Sequence, residues 1–320
     1  MTFIPAIVST AGRLSRAVAG GALGLLLTAT VALPALTPTP AAAQNAAPDA
    51  APEAAPALWV VRDADSTLYL FGSVHVLKPG TDWRTDRVDQ AFAAAQDVWF
   101  ELTNPDDAAA AVPFIQRHGV SRDRPLSSRL SAEDFGRLDV AARAIGASAA
   151  QMDPMRPWFA AMNLTMSQLI QAGFQPGTGV DLIMLKRARE EGKDIHGFET
   201  MDQQLGIFAG LDEATEMSML QYSLDGFEHA DQIVDGMVLA WRTGDTDGLD
   251  RVMHTEWKAD FPAVYDALLT QRNIDWANQI QERLKGSGVT MVIVGAGHLV
   301  GSDSVQAQLA QRGITATRVE

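Results

Sequence analysis

The most informative segment for the fold is Val289-Thr-Met-Val-Ile-Val294, which is followed directly by Gly295-Ala-Gly-His298. A run of apolar and β-branched residues is typical of a central strand that is buried on both faces of a sheet. The glycine that follows lets the chain turn sharply where the strand ends. The same order recurs at Thr67-Leu-Tyr-Leu-Phe71, which runs into Gly72-Ser-Val-His75. We therefore expect both histidines at the carboxyl ends of strands, where open α/β sheets bind ligands.

The rest of the chain has strands alternating with helices at both ends and a mainly helical middle. Asp63-Ala-Asp-Ser66 has turn chemistry, so the first two strands are predicted to form a hairpin. Predicted strands cover residues 58–61, 67–71, 97–101, 194–199, 289–294 and 314–319. Predicted helices cover residues 86–95, 155–171, 179–191 and 304–311, and a helical block over about 201–285 is broken at Gly210, Gly244, Gly248 and Pro262. The pattern predicts an α/β fold: a mixed, mostly parallel sheet flanked by helices, with the helical block inserted as a cap.

Residues 1–43 are predicted to be a signal peptide. Arg13 and Arg16 are their only charges, residues 17–36 are apolar, and Ala41-x-Ala43 has the small residues that precede a cleavage site. The alternative is a retained membrane anchor. Residues 44–57 are rich in Ala and Pro and predict a disordered linker, which leaves residues 58–320 as the folded domain. We expect a periplasmic or secreted protein without stable membrane insertion after cleavage, since no other stretch approaches the ~18 apolar residues that span a bilayer.

Charge and cysteine content narrow the classes of partner. The chain has 25 Lys and Arg against 39 Asp and Glu, and loss of Arg13 and Arg16 with the signal leaves 23 − 39 = −16. Nucleic acids and anionic lipids bind basic patches, so neither is expected as a partner. The chain has no Cys, which excludes disulfides, a Cys nucleophile and a lipid attached to Cys. The fold must therefore be held by its core.

Two imidazoles, a carboxylate and open positions form a common type of catalytic metal site. His75 and His298 supply the imidazoles if their strands are neighbours, and we expect both on loops outside the packed core. Glu101 and Glu199 each end a predicted strand and are candidate carboxylates, because an acid there needs a partner. Asp181 is weaker evidence, since an acid in the first turn of a helix is stabilised by the helix dipole. The other histidines, at positions 118, 196, 229 and 254, are not favoured as ligands.

Motifs of several other enzyme classes are absent from the sequence. His-Glu-x-x-His, Gly-x-Ser-x-Gly and the P-loop pattern do not occur. Gly295-Ala-Gly-His-Leu-Val-Gly301 is similar to a dinucleotide-binding loop, but its spacing differs by one residue. It also lies too near the C-terminus to head a βαβ unit with further sheet after it.

Several of these segments together resemble one known family. They are Leu70-Phe-Gly-Ser-Val-His75, Trp99-Phe-Glu101, Gly179-Val-Asp-Leu182, Gly197-Phe-Glu-Thr200 with Gln204 after it, Arg272-Asn273 and Val294-Gly-Ala-Gly-His-Leu-Val-Gly301. In this order they are similar to the TraB/GumN family, which includes the Tiki proteases. The resemblance implies a fold akin to erythromycin esterase and ChaN. It also implies a metal-dependent hydrolase with His75, His298 and Glu101 at the metal, and further family positions at Glu199, Arg272 and Asn273.

The first hypothesis for function is a metallohydrolase, in particular a peptidase acting on a peptide or protein substrate. A divalent metal (Zn, Mn or Co) would activate water. Glu199, or Glu101 itself, would take the proton, and Arg272 would stabilise the oxyanion. Two alternatives stay open from the sequence: a module that binds haem, metal or another ligand without chemistry, and an accessory protein of envelope polysaccharide assembly.

Overall fold

The computed structural model describes residues 53–144, 146–175, 177–226 and 230–320, with the side chains of residues 230 and 231 excepted. In these ranges the strands form one sheet of six, in the order β4-β3-β5-β2-β1-β6. The strands are β1 (Leu58–Arg62), β2 (Ser66–Ser73), β3 (Asp97–Leu102), β4 (Asp194–Glu199), β5 (Gly288–Gly295) and β6 (Thr317–Arg318). The mixed α/β sheet predicted from the sequence is therefore confirmed.

The four strands β2, β5, β3 and β4 are parallel, so their carboxyl ends lie at one edge of the sheet. Strand β5 is central and is buried from Thr290 onward, as its continuous apolar sequence predicts. Strands β1 and β2 form the predicted antiparallel hairpin. Its turn is closed by the side chain of Asp63, which accepts a hydrogen bond from the backbone of Ser66 at 2.7 Å.

The last predicted strand, over residues 314–319, is shorter than expected. Only Thr317 and Arg318 pair with β1, antiparallel at the edge of the sheet. The backbone N–H of Ile314 instead donates to the carbonyl of Leu309 and closes the end of the preceding helix. Residues at the start of the predicted strand are therefore used by the helix.

The helices cover both faces of the sheet and build a separate helical layer. In chain order they are α1 (Asp86–Ala94), α2 (Ala108–His118), α3 (Ala132–Arg143), α4 (Ala149–Met152), α5 (Pro157–Gln171), α6 (Val180–Glu190), α7 (Met201–Ala209), α8 (Glu213–Asp225), α9 (Ala230–Thr243), α10 (Thr246–Asp260), α11 (Pro262–Tyr265), α12 (Gln271–Arg283) and α13 (Val305–Ala310). Helices α1 and α6 pack on one face, and α12 and α13 on the other.

The helical layer has its own core and is drawn from two stretches of chain. Its largest buried side chain, Trp158 of α5, stacks against Phe208 of α7. Residues before β4 and residues of the predicted 201–285 block therefore share one apolar cluster. The prediction that Gly248 breaks a helix is wrong, because Gly248 lies inside α10. Its backbone N–H donates to the side chain of Asp245, the N-cap residue of α10, at 2.8 Å, so Gly248 belongs to the first turn of the helix.

The predicted signal peptide, residues 1–43, lies outside the described residues. Of the predicted linker, residues 53–57 are described, and Pro56 is buried. The backbone N–H of Ala55 donates to the carbonyl of Arg242 at 2.7 Å, so the ordered chain begins before Leu58. Among the described helices, none is long and apolar enough to cross a bilayer.

Candidate functional site

The strand ends bring both motif histidines to one carboxylate. His75 follows β2 by two residues, and His298 lies in a 3-10 turn (Ala296–Leu299) that follows β5. Strand β3 lies beside β5 and carries Glu101. Nε2 of His75 and Nε2 of His298 are each 3.9 Å from Oε1 of Glu101. The two imidazoles therefore face one space, as the paired Gly-x-x-His motifs predict.

Gly295 is the position that allows this approach. Its backbone N–H donates to Oε1 of Glu101 at 2.8 Å. A Cβ atom at this position would lie 3.1 Å from that oxygen and 3.4 Å from Nε2 of His75. A side chain there would enter the space that the two histidines and the glutamate share.

A second layer of groups orients the two imidazoles. Nδ1 of His298 lies 2.6 Å from Oδ1 of Asn273, whose amide nitrogen donates to the carbonyl of Asp303 at 2.8 Å. This hydrogen bond to Asp303 identifies Oδ1 as the acceptor atom of the Asn273 amide. Nδ1 of His298 therefore carries the proton, and Nε2 keeps its lone pair. Nδ1 of His75 lies 3.3 Å from Oδ1 of Asp181. Within the described residues, neither Nδ1 of His75 nor Oδ1 of Asp181 has a hydrogen-bond partner, so the contact between them is an ion pair.

Arg272 of α12 crosses the site and joins both glutamates. Its NH2 donates to Oε2 of Glu101 at 2.7 Å, and its Nε donates to Oε1 of Glu199 at 2.8 Å. Its NH1 donates to the carbonyl of Leu268 at 2.9 Å and lies 3.0 Å from Nε2 of His298. NH2 also reaches Oε2 of Glu199 at 2.9 Å, so all five N–H groups of the guanidinium have acceptors. An oxyanion role for Arg272 therefore requires one of these bonds to break.

Glu199 is more strongly hydrogen-bonded than the sequence predicts. Besides Arg272, it accepts from the indole N–H of Trp276 at 3.0 Å and from the amide of Gln204 at 3.0 Å. Gln204 also donates to Glu101 at 2.9 Å and so bridges the two carboxylates. Glu199 thus lies beside the shared space of the histidines and is held by the side chains around it.

The protonation of the site follows from burial and from these charges. Burial alone would lower the pKa of His75, but the carboxylates of Asp181 and Glu101 outweigh it and raise the pKa to about 9. Burial opposes ionisation of Glu101, yet the charges of Arg272 and His75 and the backbone N–H of Gly295 hold its pKa well below the usual range. Burial and the cation of Arg272 lower the pKa of His298 well below its usual value. His298 is therefore neutral and Glu101 is ionised at neutral pH.

These groups form part of the wall of an open cleft. Its polar lining includes His75, Glu101 and Arg272. Its apolar lining includes Ile207, Phe208 and Leu268 from the helical layer. The site therefore lies between the carboxyl edge of the sheet and the helices that cover it.

The predicted position of the histidines outside the core is wrong for His298, which is only 1% exposed. Its ring packs 4.2 Å from the ring of Trp276, because α12 lies across the turn that carries it. His118 and His196 are exposed and lie away from the site; His118 packs at a tilt against Phe114, and His196 stacks on Trp99. His229 lies outside the described residues.

Sequence reasoning gave too little weight to four residues. Asp181 and Gln204 contact the site directly, and the buried hydroxyl of Ser73 lines the cleft without a hydrogen-bond partner in the described part of the chain. His254 is 3% exposed and pairs with Asp250 at 2.7 Å, beneath the turn of His298. The i,i+4 spacing of Asp250 and His254 on a helix was the available signal for this pair.

The donor set fits a divalent metal in its chemistry. Two imidazole nitrogens and a carboxylate oxygen are typical ligands, and oxygen acceptors at the second nitrogens are typical of metal-binding histidines. The spacing is more open than a coordination shell, and in the described ranges no group of three or more His, Cys, Asp or Glu side chains is close enough to hold an ion. His75 and Glu101 face the shared space directly. Nε2 of His298 lies 3.0 Å from NH1 of Arg272.

The family comparison covers nearly all of the described chain. The model of the TraB/PrgY/gumN family matches residues 57–318. The chain belongs to the TraB/PrgY/gumN family. The resemblance predicted from the sequence motifs is therefore confirmed.

The curated relatives of this TraB/PrgY/gumN member have low sequence identity to it. The chain is 23% identical over 184 residues to the protein named "Uncharacterized protein YbaP" of Escherichia coli (strain K12), covering 58% of this chain and 67% of that protein. It is 19% identical over 267 residues to an uncharacterized protein of Treponema pallidum (strain Nichols), covering 77% of this chain and 78% of the relative. No solved structure matches the chain.

Proposed function

We propose that this protein is a metal-dependent hydrolase that acts on peptide or protein substrates, with His75, Glu101 and His298 as the metal donors. The observation that carries the proposal is the approach of two imidazoles, each 3.9 Å from one carboxylate oxygen, at the wall of an open cleft. A divalent ion (Zn, Mn or Co) would polarise a substrate carbonyl and lower the pKa of a bound water. Family membership supports the proposal without specifying the reaction.

The surrounding side chains would fix the donors rather than react. Asp181 forms an ion pair with Nδ1 of His75, and Asn273 accepts a hydrogen bond from Nδ1 of His298. Such partners set the tautomer and orientation of an imidazole ligand. Both histidines would then present Nε2 to the same space.

The proton acceptor is to be sought among the two glutamates. Glu199 accepts hydrogen bonds from Arg272, Gln204 and Trp276, so both of its carboxylate oxygens are already engaged. Its position therefore supports anchoring of Arg272 as its first role. Under the base hypothesis, Glu199→Gln leaves the metal bound while turnover falls by about 10²–10⁴-fold.

The cleft favours a substrate with an apolar side chain near the bond that is cleaved. Ile207, Phe208 and Leu268 line it together with the charged groups. An extended peptide would place its carbonyl toward the imidazoles and an apolar side chain toward these residues. Export through residues 1–43 would place this activity in the periplasm or outside the cell.

The test is a metal assay joined to a peptide-library cleavage screen. Purified protein supplied with zinc, manganese or cobalt is expected to retain one divalent ion and to cleave peptides until a chelator is added. His75→Ala should lose both the ion and cleavage. His118→Ala is the matched control, because that side chain is exposed and lies on α2 away from the cleft.

Three results would contradict the proposal. Cleavage that survives the chelator would argue against a metal. Haem absorbance of the purified protein would favour a binding module. Absence of any retained ion and of any cleaved peptide would favour a role in envelope polysaccharide assembly without catalysis.

A further inference from the structure

Arg272 is an internal cation whose bonds fall on the proposed metal donors. It is 4% exposed, and its NH2 lies 2.7 Å from Glu101. Its NH1 lies 3.0 Å from Nε2 of His298. One guanidinium therefore contacts both an acidic donor and an imidazole donor.

The contact with His298 involves the one nitrogen that is free to bind a metal. Nδ1 of His298 is 2.6 Å from Oδ1 of Asn273 and carries the ring proton. Nε2 has a single lone pair, and that lone pair accepts the hydrogen bond of NH1. A metal and an N–H group cannot use the same lone pair together.

The charges of the site lead to the same competition. Glu101 and Glu199 supply two buried negative charges, and Arg272 balances one of them. A divalent ion among these groups would meet the positive guanidinium at short range, where the interior screens charge weakly. Binding of the ion is therefore opposed as long as NH1 stays on His298.

We infer that Arg272 competes with the divalent ion for His298, so that loading of the metal requires NH1 to leave Nε2. The inference rests on the metal role proposed above. In the metal-bound protein, Nε and NH2 of Arg272 would stay hydrogen-bonded to Glu199. The ring of Trp276, whose centroid lies 4.6 Å from Cζ of Arg272, would remain packed against the guanidinium. The site thus has two arrangements, one closed by Arg272 and one open to the metal.

The experiment compares zinc affinity by isothermal titration calorimetry in the full mature chain. A hydrogen bond between a charged and a neutral group is equivalent to about a ten- to hundredfold change in affinity, so Arg272→Gln should bind Zn²⁺ more tightly than the wild type by about that factor. Arg283→Gln is the matched control. Arg283 also lies on α12 and bonds an acid of β3, Asp97, but at the opposite end of the sheet. Its affinity should equal that of the wild type.

A second variant separates the hydrogen bond from the charge and serves if Arg272→Gln does not fold. Arg272→Lys keeps the charge but has one nitrogen in place of three, so it cannot hold both glutamates and His298 together. It should also bind Zn²⁺ more tightly than the wild type. Wild-type protein that binds Zn²⁺ as tightly as both variants would overturn the inference. Absence of zinc binding in every protein, including both Arg272 variants, would instead overturn the metal role itself.

The position of Arg272 can also be followed directly by fluorescence. The indole of Trp276 contacts both Arg272, at 4.6 Å, and His298, at 4.2 Å. Zn²⁺ should therefore change the tryptophan emission of the wild type, and the change should be absent in Trp276→Phe. An equal change in both proteins would mean that the signal comes from other tryptophans, and it would argue against a rearrangement of Arg272 beside Trp276.

Discussion

Asn273→Ala tests whether the second layer of the site holds His298 in place. Asn273 is 1% exposed and makes two buried hydrogen bonds, at 2.6 Å to His298 and at 2.8 Å to the carbonyl of Asp303. Truncation leaves an N–H and a carbonyl without partners, and each costs about 1–3 kcal/mol. The free energy of unfolding of the metal-free protein should therefore fall by about 2–5 kcal/mol. For a domain of this size the melting temperature should fall by at least about 4 °C.

Asn278→Ala is the matched control for this prediction. Asn278 lies on the same helix but is exposed, and its side chain only accepts from Arg312, at 2.8 Å. Both substitutions gain the same helix propensity, which is about 0.6 kcal/mol, so the comparison cancels that contribution. Urea denaturation of both variants, followed by circular dichroism, gives the difference. Equal stabilities of Asn273→Ala and Asn278→Ala would refute the argument that Asn273 fixes the imidazole.

Three further predictions concern the backbone, pH and export. Gly179→Ala would place a Cβ 2.2 Å from the carbonyl oxygen of His75, so urea denaturation should show a loss of more than about 2 kcal/mol, whereas Gly136→Ala, with open space around it, should be neutral or stabilising. Burial lowers the pKa of His254 despite its acidic partner, so the unfolded chain takes up a proton that the folded protein does not. Stability should then fall as pH drops below about 6.5, and less so in His254→Asn; an equal loss of unfolding free energy in both proteins between about pH 7.5 and about pH 5.5 would contradict this. N-terminal sequencing of periplasmic protein should begin at Gln44, and recovery of the uncleaved chain in membranes would speak against the signal peptide.

Local sequence was enough to place the strand ends and their histidines. The continuous apolar run of β5 and the apolar pattern of the β1–β2 hairpin can each be read from a short stretch of residues. A Gly-x-x-His after each strand then puts His75 and His298 at the carboxyl edge, wherever the helices lie. Glu101 and Glu199 follow by the same rule, since each lies at the end of a parallel strand. Local sequence patterns alone therefore predict which edge of the sheet carries the polar groups.

Which of these polar side chains contact one another depends on the tertiary structure. The contact of Arg272 with His298 depends on how α12 crosses the strand ends, and the contact of Asp181 with His75 depends on where α6 begins. Neither contact leaves a local pattern, because the partners are far apart in the chain. The dipole of α6 is by itself enough to account for an acid at Asp181. The direction of each helix is fixed by packing of whole apolar faces, so the hydrogen bonds at its polar end are a consequence of the complete core.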